Sequence, residues 1–368
     1  MKTRAAVMWE AGKDWDVIEL ELDPPKDNEV LVKFAASGMC HSDDHLRTGD
    51  LPSRYPIVGG HEGAGVVEEV GPGVYDIKPG DRVVCSFLPT CGRCRWCATG
   101  HQNLCDLGAM LLDGCLPDGT YRRHADGHDI GGMCMLGTFS ERGVVSRNSV
   151  VKIDDHLPLD KAALVGCAVT TGYGSMINTG EATPGCTVVV MGVGGIGINA
   201  VQAARIVGAQ HIVALDPVEY KRRRAMEFGA THTAATLDEA VALVIGLTRG
   251  EKADVCVVTT DVAEGAYVGQ ALSLVGKRGR VVMTAMAHPN EKQVNLSLVD
   301  LTLFEKQVRG SLFGSANPRS DIFRMLELYD SGQLMLDELI TREYTLSDIN
   351  SGYDDLRSGL NLRGLIRF

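Results

Sequence analysis

Apolar and polar positions alternate over residues 4–9 and run nearly continuously apolar over 29–36, and both stretches predict strands. Between 57 and 81 the chain is punctuated by glycines and prolines, which predicts compact β structure with tight turns. From about residue 170 the texture changes. Apolar strands at 187–191, 211–215, 255–258 and 280–284 alternate with amphipathic helices at 196–207, 219–228 and 266–274. That βαβ rhythm predicts a parallel, doubly wound sheet. After 311 come a helix over 322–330, a β-like 341–344 and a short terminal stretch 362–368, too few elements for a third domain. The expected organisation is α/β: a β-rich domain built from 1–168 and 312–368, with a nucleotide domain over 169–311 inserted in it.

The 368 residues are 45% apolar, enough for a sizeable core, and no stretch reaches the run of about 18 apolar residues that a membrane span needs. The opening Met1-Lys2-Thr3-Arg4 leads straight into a strand without an apolar leader, so a cytoplasmic protein is expected, with no membrane partner. A net charge of −11 without a basic, aromatic-interleaved stripe argues against nucleic acid as a partner. The basic run at 221–224 reads as the solvated face of a helix start. Eleven cysteines in a chain without a secretion signal favour metal ligation or catalysis over disulfides.

The strand at 187–191 is followed by Gly192-Val193-Gly194-Gly195-Ile196-Gly197 and then by a helix pattern. In such a turn Gly192 permits the sharp bend, Gly194 lets the backbone approach a pyrophosphate, and Gly197 packs helix against strand, with Gly195 a further cofactor-binding candidate in the same turn. The phosphates then meet the unpaired amides of a helix N-terminus. Asp216 closes the next strand 19 residues after Gly197, where a carboxylate binds a ribose diol and repels a 2′-phosphate. NAD is therefore the expected cofactor, although Lys221 and Arg222 stand close enough in sequence to tolerate the extra phosphate.

Cys91, Cys94, Cys97 and Cys105 are spaced C-x2-C-x2-C-x7-C, with Gly92 and Gly100 allowing the chain to curl. Four thiolates this close can surround one tetrahedral Zn²⁺ in a closed, structural site, and the same count also suits an iron–sulfur cluster. A second set is dispersed: Cys40 in Cys40-His41-Ser42-Asp43-Asp44-His45, His61-Glu62, and Cys167. Two thiolates and one imidazole leave a fourth zinc position open, as catalytic sites do, but spacing alone does not pair these three. Cys85, Cys186 and Cys256 read as small buried hydrophobes, and Cys115 and Cys134 carry no assigned role.

Taken together, these motifs resemble the zinc-dependent medium-chain alcohol dehydrogenases over essentially the whole chain. The resemblance rests on the 40–45 run, Gly60-His61-Glu62, the four-cysteine lobe, Cys167 with Thr171-Gly172-Tyr173-Gly174, the glycine turn with Asp216, and Leu362-Arg363. It implies a Rossmann domain inserted in a GroES-like catalytic domain and two Zn²⁺ per chain. Cys40, His61 and Cys167 would bind catalytic zinc, with Glu62 an occasional or outer ligand and Asp43 orienting His61. The cysteines at 91, 94, 97 and 105 would hold the structural ion. Ser42 would hydrogen-bond the substrate alcohol and His45 would pass its proton to solvent. His41 and Arg363 would contact the cofactor pyrophosphate, Thr171 the nicotinamide, and Lys221 the adenosine ribose.

The implied reaction moves a hydride from an alcohol to the nicotinamide in a dry cleft between domains. Leu51, Phe87, Met110, Met135 and Leu136 would form an apolar pocket for medium-sized primary alcohols or aldehydes. Leu51 and Ala109 depart from the acidic residue and arginine of the glutathione-dependent formaldehyde branch, so that activity is not carried over. Within the family the stretches at 135–139, 310–318 and 333–339 are similar to actinobacterial nicotinoprotein alcohol dehydrogenases, assayed with nitrosodimethylaniline, whose NAD stays bound between turnovers. Such an enzyme needs a second substrate or an external electron acceptor, and the family forms dimers or tetramers. Competing readings are an ordinary alcohol or polyol dehydrogenase with exchanging NAD(H), and a non-catalytic NAD(P)-binding sensor or structural protein. The intact set Cys40, His61 and Cys167 argues against the last, and the apolar pocket against a polyol.

Overall fold

The computed structural model describes residues 1–50 and 52–368, which divide into two compact units: Met1–Cys167 with Asn317–Phe368, and Ala168–Ala316. The expected Leu51 pocket position lies outside the described residues.

The spine of the first unit is the strand Glu29–Met39, in which nearly every side chain is buried. It pairs antiparallel with Glu62–Val70, with Arg142–Ser146 and with the C-terminal strand Arg363–Arg367. The last of these registers sets Gly364 opposite Met39, which joins the C-terminal segment to this unit. A separate closed barrel contains Lys2–Met8, Asp16–Leu22, Ile57–Val58, Arg123–Ala125 and His128–Gly132. Val30, Val32, Phe34, Val67, Val83 and Leu136 form one core cluster between strands. The helix Ile349–Arg357, outside the elements expected from periodicity, packs Tyr353 beside Trp15 and Phe139 in another.

The second unit is a six-stranded sheet whose order places Thr187–Met191 between His211–Leu215 and Ala253–Val258, and every pair is parallel. Thr187–Met191 is buried throughout and rich in valine, as a strand covered on both faces requires. The helix Gly195–Val207 follows it and ends on Gly208, whose φ of 83° suits glycine. Periodicity did not mark the strands His232–Ala234 and Gln307–Gly310 at the two sheet edges, because three or four residues are too short to show a period. The helix Leu237–Leu247, with Thr236 accepting from Glu239 N, was likewise not expected from the pattern. The unit runs to Ala316 because Ser311 bonds Ser175 and Thr179 inside it, and the turn Phe313–Ser315 packs on Gly174. No helix among the described residues is long and apolar enough to cross a membrane.

Candidate active site

In the first unit, the strand Glu29–Met39 ends at Cys40, which is also the first residue before the helix His41–Thr48. The pairing of Gly38 with Glu62 brings His61 and Glu62 alongside. Cys167 follows the turn Leu164–Gly166, and Gly166 lies so close to the Cys85 carbonyl that no Cβ would fit. The result is a buried cluster in which ligand atoms of Cys40, His61, Glu62 and Cys167 all lie within 4.8 Å of one another. Gly38 is needed here as well, since a Cβ would collide with the Glu62 carboxylate.

Asp43 is fully buried behind His61. Its Oδ1 lies 3.2 Å from His61 Nδ1 and accepts the Gly60 amide at 2.7 Å. Giving Nδ1–H to Asp43 would leave Nε2 for a metal, the tautomer a metal-ligating histidine needs. Phe87 packs its ring edgewise against His61, with centroids 5.8 Å apart. The Cys40 thiol is held well below its ordinary value, first by the hydrogen bond from Cys167 and then by His61, against the cost of burial. Burial pushes the Glu62 carboxyl up, and the Arg363 guanidinium, paired with Oε2 and itself buried, opposes that shift.

Soft thiolates with an imidazole and a carboxylate are a zinc donor set. The residues fit the ion in a second respect. Glu62 Oε1 is buried at the cluster without a hydrogen-bond partner in the chain, so a carboxylate oxygen is left over there.

Along the helix from Cys40, Ser42 Oγ lies 3.7 Å from Cys40 Sγ. His45, one turn further, is buried and has Nδ1 3.3 Å from Asp50 Oδ2. Asp50 in turn accepts from Thr48 Oγ1 at 2.5 Å. His41, the first helical residue, is half-buried. Arg363 directs its guanidinium at Glu62, a partner that sequence reasoning did not supply.

The other expected pocket residues fall in two places. Leu136 shares a core cluster with half-buried Phe87. Met135 and Met110 belong to another, with Leu22, Leu31 and Leu116. Cys134 and Met135 both take the left-handed conformation, with φ of 54° and 60°.

Cys91, Cys94, Cys97 and Cys105 gather their sulfurs within 4.8 Å of one another, and all eleven cysteines are free. Backbone amides point at the sulfurs: Cys94 N to Cys91 Sγ at 3.3 Å, Cys97 N to Cys94 Sγ at 3.5 Å, and Cys91 N to Cys105 Sγ at 3.3 Å. The amides of Cys97 and Asp106 bring the Cys94 thiol down to about 6, while burial pushes Cys105 up to about 12. Gly92 and Gly100 turn the loop with φ of 74° and 87°. Four sulfurs gathered this closely suit a tetrahedral site whose four positions are all filled by the protein.

In the second unit the glycine turn has the geometry a pyrophosphate requires. Gly192 has φ of 88°, and a Cβ there would fall 2.8 Å from Thr260 N. Gly194 precedes the helix Gly195–Val207 and has nothing within 4 Å of where its Cβ would stand, which leaves room beside the helix amides. Gly195 opens that helix, and Gly197 packs on the Gly192 carbonyl. Asp216 accepts from Val193 N at 3.0 Å and from Val218 N at 2.9 Å, so its carboxylate also braces the turn. Arg222 Nη1 donates to the carbonyls of Asp216 and Pro217, and Lys221 is half-buried beside it on the same helix. Two hydroxyls, Thr171 Oγ1 and Thr260 Oγ1, are buried without a partner in the chain, which fits a site that takes a polar cofactor.

Residues 26–155 match the family model described as alcohol dehydrogenase GroES-like domain, and 195–331 match zinc-binding dehydrogenase. The chain is 56% identical over 366 residues to the NDMA-dependent alcohol dehydrogenase of Amycolatopsis methanolica, covering 100% of this chain and 99% of that one. It is equally similar, over 100% of both chains, to the putative alcohol dehydrogenase D of Mycobacterium tuberculosis. The chain belongs to the zinc-dependent medium-chain alcohol dehydrogenases. Among solved structures of the family, benzyl alcohol dehydrogenase from Acinetobacter calcoaceticus superposes with a TM-score of 0.93 at 29% identity, covering 100% of this chain and 99% of that one. As a zinc-dependent alcohol dehydrogenase the protein is an enzyme, and its substrates are alcohols or aldehydes. For a member of this family, Asp50 beside His45 and Arg363 against Glu62 are the additions that sequence reasoning missed, because both contacts are made by side chains across a loop or a sheet.

Proposed function

We propose that this enzyme oxidises primary alcohols to aldehydes, and reverses the reaction, with NAD held tightly and reoxidised in place, in the cytoplasm, where reduced thiols favour metal ligation. The observation that carries the reading is the buried cluster of Cys40, His61, Glu62 and Cys167 with Asp43 behind it. Cys40, His61 and Cys167 would hold a catalytic zinc with Glu62 in reserve, and Cys91, Cys94, Cys97 and Cys105 a structural one. Bound zinc acts as a Lewis acid that makes an alcohol hydroxyl acidic near neutral pH, and bound NAD accepts the hydride.

The chain's own groups do the rest. Ser42 Oγ, beside Cys40 Sγ, orients the substrate hydroxyl and accepts its proton. His45, held through Nδ1 by Asp50, exchanges that proton with solvent. Phe87 and Leu136 supply an apolar wall next to His61 that excludes water and favours primary alcohols without further hydroxyls. Asp216 selects NAD over its 2′-phosphorylated form, and His41, Thr171, Lys221 and Arg363 are the further cofactor contacts that the family pattern implies. The edge strand Gln307–Gly310, paired on one side only, is the surface we assign to a homo-oligomer of two or four chains.

Support for retained NAD comes from full-length similarity to a relative named for its dependence on NDMA. The test supplies a primary alcohol and nitrosodimethylaniline to the purified enzyme without added NAD. Continuous turnover is expected, and added NAD without nitrosodimethylaniline should give no sustained NADH production. Sustained NADH production from added NAD, with no dye turnover in its absence, would establish the exchanging-cofactor alternative instead.

A further inference from the structure

Neither metal cluster nor the glycine turn uses a continuous chain of five hydroxyls in the second unit. Thr284 Oγ1 donates to Ser175 Oγ at 2.9 Å, and Ser175 Oγ lies 3.1 Å from Ser311 Oγ. Ser311 Oγ lies 2.9 Å from Thr179 Oγ1, which lies 2.9 Å from Ser315 Oγ. Ser175, Thr179 and Ser311 are buried. Buried hydroxyls are costly unless bonded, and a chain in which each passes a hydrogen to the next satisfies them and specifies one arrangement.

The segments joined are unusual. Ser175 and Thr179 bracket a π-helical turn, a rarity that concentrates at functional sites. Its final carbonyls are taken by arginines: Arg309 Nη1 bonds Thr179 O at 3.0 Å and Arg280 Nη1 bonds Gly180 O at 3.2 Å. Glu181 pairs with both arginines. On the other side Phe313, Gly314 and Ser315 are three successive residues with positive φ, of which only one is glycine. This loop is pressed onto the helix Ala168–Gly174. A Cβ on Gly314 would fall 2.7 Å from Gly174 Cα and from the Thr171 carbonyl, and Asn178 Nδ2 donates to Gly314 O at 3.1 Å. Thr171, on that helix, has one of the buried hydroxyls without a partner in the chain.

The location follows from the sheet. In a doubly wound fold a dinucleotide lies across the carboxyl ends of the strands, one half on each side of the strand where the order reverses. Here that strand is Thr187–Met191. Asp216 follows the neighbouring His211–Leu215, so the adenosine half belongs on that side. The nicotinamide half belongs over the carboxyl ends of Ala253–Val258, Val275–Met283 and Gln307–Gly310. Thr284 and Ser311 are the first residues beyond two of those ends, and Ser311 N donates to Met283 O at 2.9 Å.

We infer that the hydroxyl chain Thr284–Ser175–Ser311–Thr179–Ser315 holds the 311–316 loop against the Thr171 helix as a preformed seat for the nicotinamide half, and thereby sets the residence time of NAD(H). This rests on the dinucleotide site proposed above and supplies a physical cause for tight retention. A strained loop that is already ordered costs little to order on binding, and such preorganisation is expressed mainly as slower dissociation.

The test compares wild type with Thr179→Val/Ser311→Ala by stopped-flow displacement of NADH, alongside calorimetric titration of ADP-ribose, which lacks the nicotinamide. NADH dissociation is expected to accelerate by about tenfold or more, the loss of at least one hydrogen bond's contribution, with ADP-ribose affinity unchanged. Thr179→Ser, which keeps the hydroxyl, should restore slow release. Ser315→Ala, at the exposed end of the chain of hydroxyls, is the milder variant should the double substitution not fold, and it should accelerate release in the same direction. Unchanged NADH dissociation, or equal weakening of NADH and ADP-ribose, would overturn the inference. Cofactor content of the dialysed wild type reports separately on tight retention, because the ratio of variant to wild-type dissociation rates is defined even when wild type exchanges NADH freely.

Discussion

Cys40→Ser is expected to keep the fold and the four-cysteine metal, lose the other metal, and lower alcohol turnover by roughly 10³-fold or more, the equivalent of several kcal/mol of charge stabilisation. Serine is nearly isosteric, and Cys40 makes no side-chain cap bond to the helix it precedes, so neither packing nor the helix start depends on sulfur. What is lost is the thiolate. Cys40 is the thiol in the cluster held well below its ordinary value, helped by Cys167 and His61, whereas a serine hydroxyl stays protonated and is a poor ligand for a borderline-soft ion. Elemental analysis of purified protein reads the metal, and dye reduction with a primary alcohol reads the rate. Undiminished turnover would show that the reaction does not depend on this cluster.

Arg363→Met should be the most destabilising single change at the site, by roughly 3–5 kcal/mol, because it strands a buried carboxylate. Arg363 and Glu62 are 4% and 0% exposed, and they pair directly. The arginine also opens the C-terminal strand that pairs with the end of Glu29–Met39 next to Cys40, so the loss is felt where the cluster is anchored. A two-unit metalloprotein does not unfold in one step, so the thermal midpoint of the first unit is the appropriate readout. Combining Arg363→Met with Glu62→Gln removes the stranded charge and should recover most of the midpoint. A midpoint unchanged by Arg363→Met alone would contradict the pairing.

The features readable from sequence are those whose chemistry is local. The glycine turn, its flanking strand and Asp216 lie within one βαβ unit, and Cys91 to Cys105 spans one loop. Cys40, His61 and Cys167 are different. They meet only because Gly38 pairs with Glu62 across a sheet and Gly166 packs on the Cys85 carbonyl, long-range events that leave no mark in spacing. Family resemblance, not periodicity, grouped them. The stretch at 310–318 is marked in the sequence by family resemblance and by no local motif. Its partners Ser175, Thr179 and Thr284 come from three other segments, and their hydroxyls meet only in the folded unit. The sheet's inner strands were legible from their apolar runs, whereas the edges His232–Ala234 and Gln307–Gly310 were too short.

The most direct single measurement is the content of zinc and NAD(H) in enzyme purified without added cofactor, dialysed exhaustively and denatured. About two zinc ions and about one NAD(H) per chain are expected, one ion for each cluster and a cofactor that does not leave. Zinc at that level with no NAD(H) would contradict tight retention, and the absence of zinc would contradict the reading of both clusters.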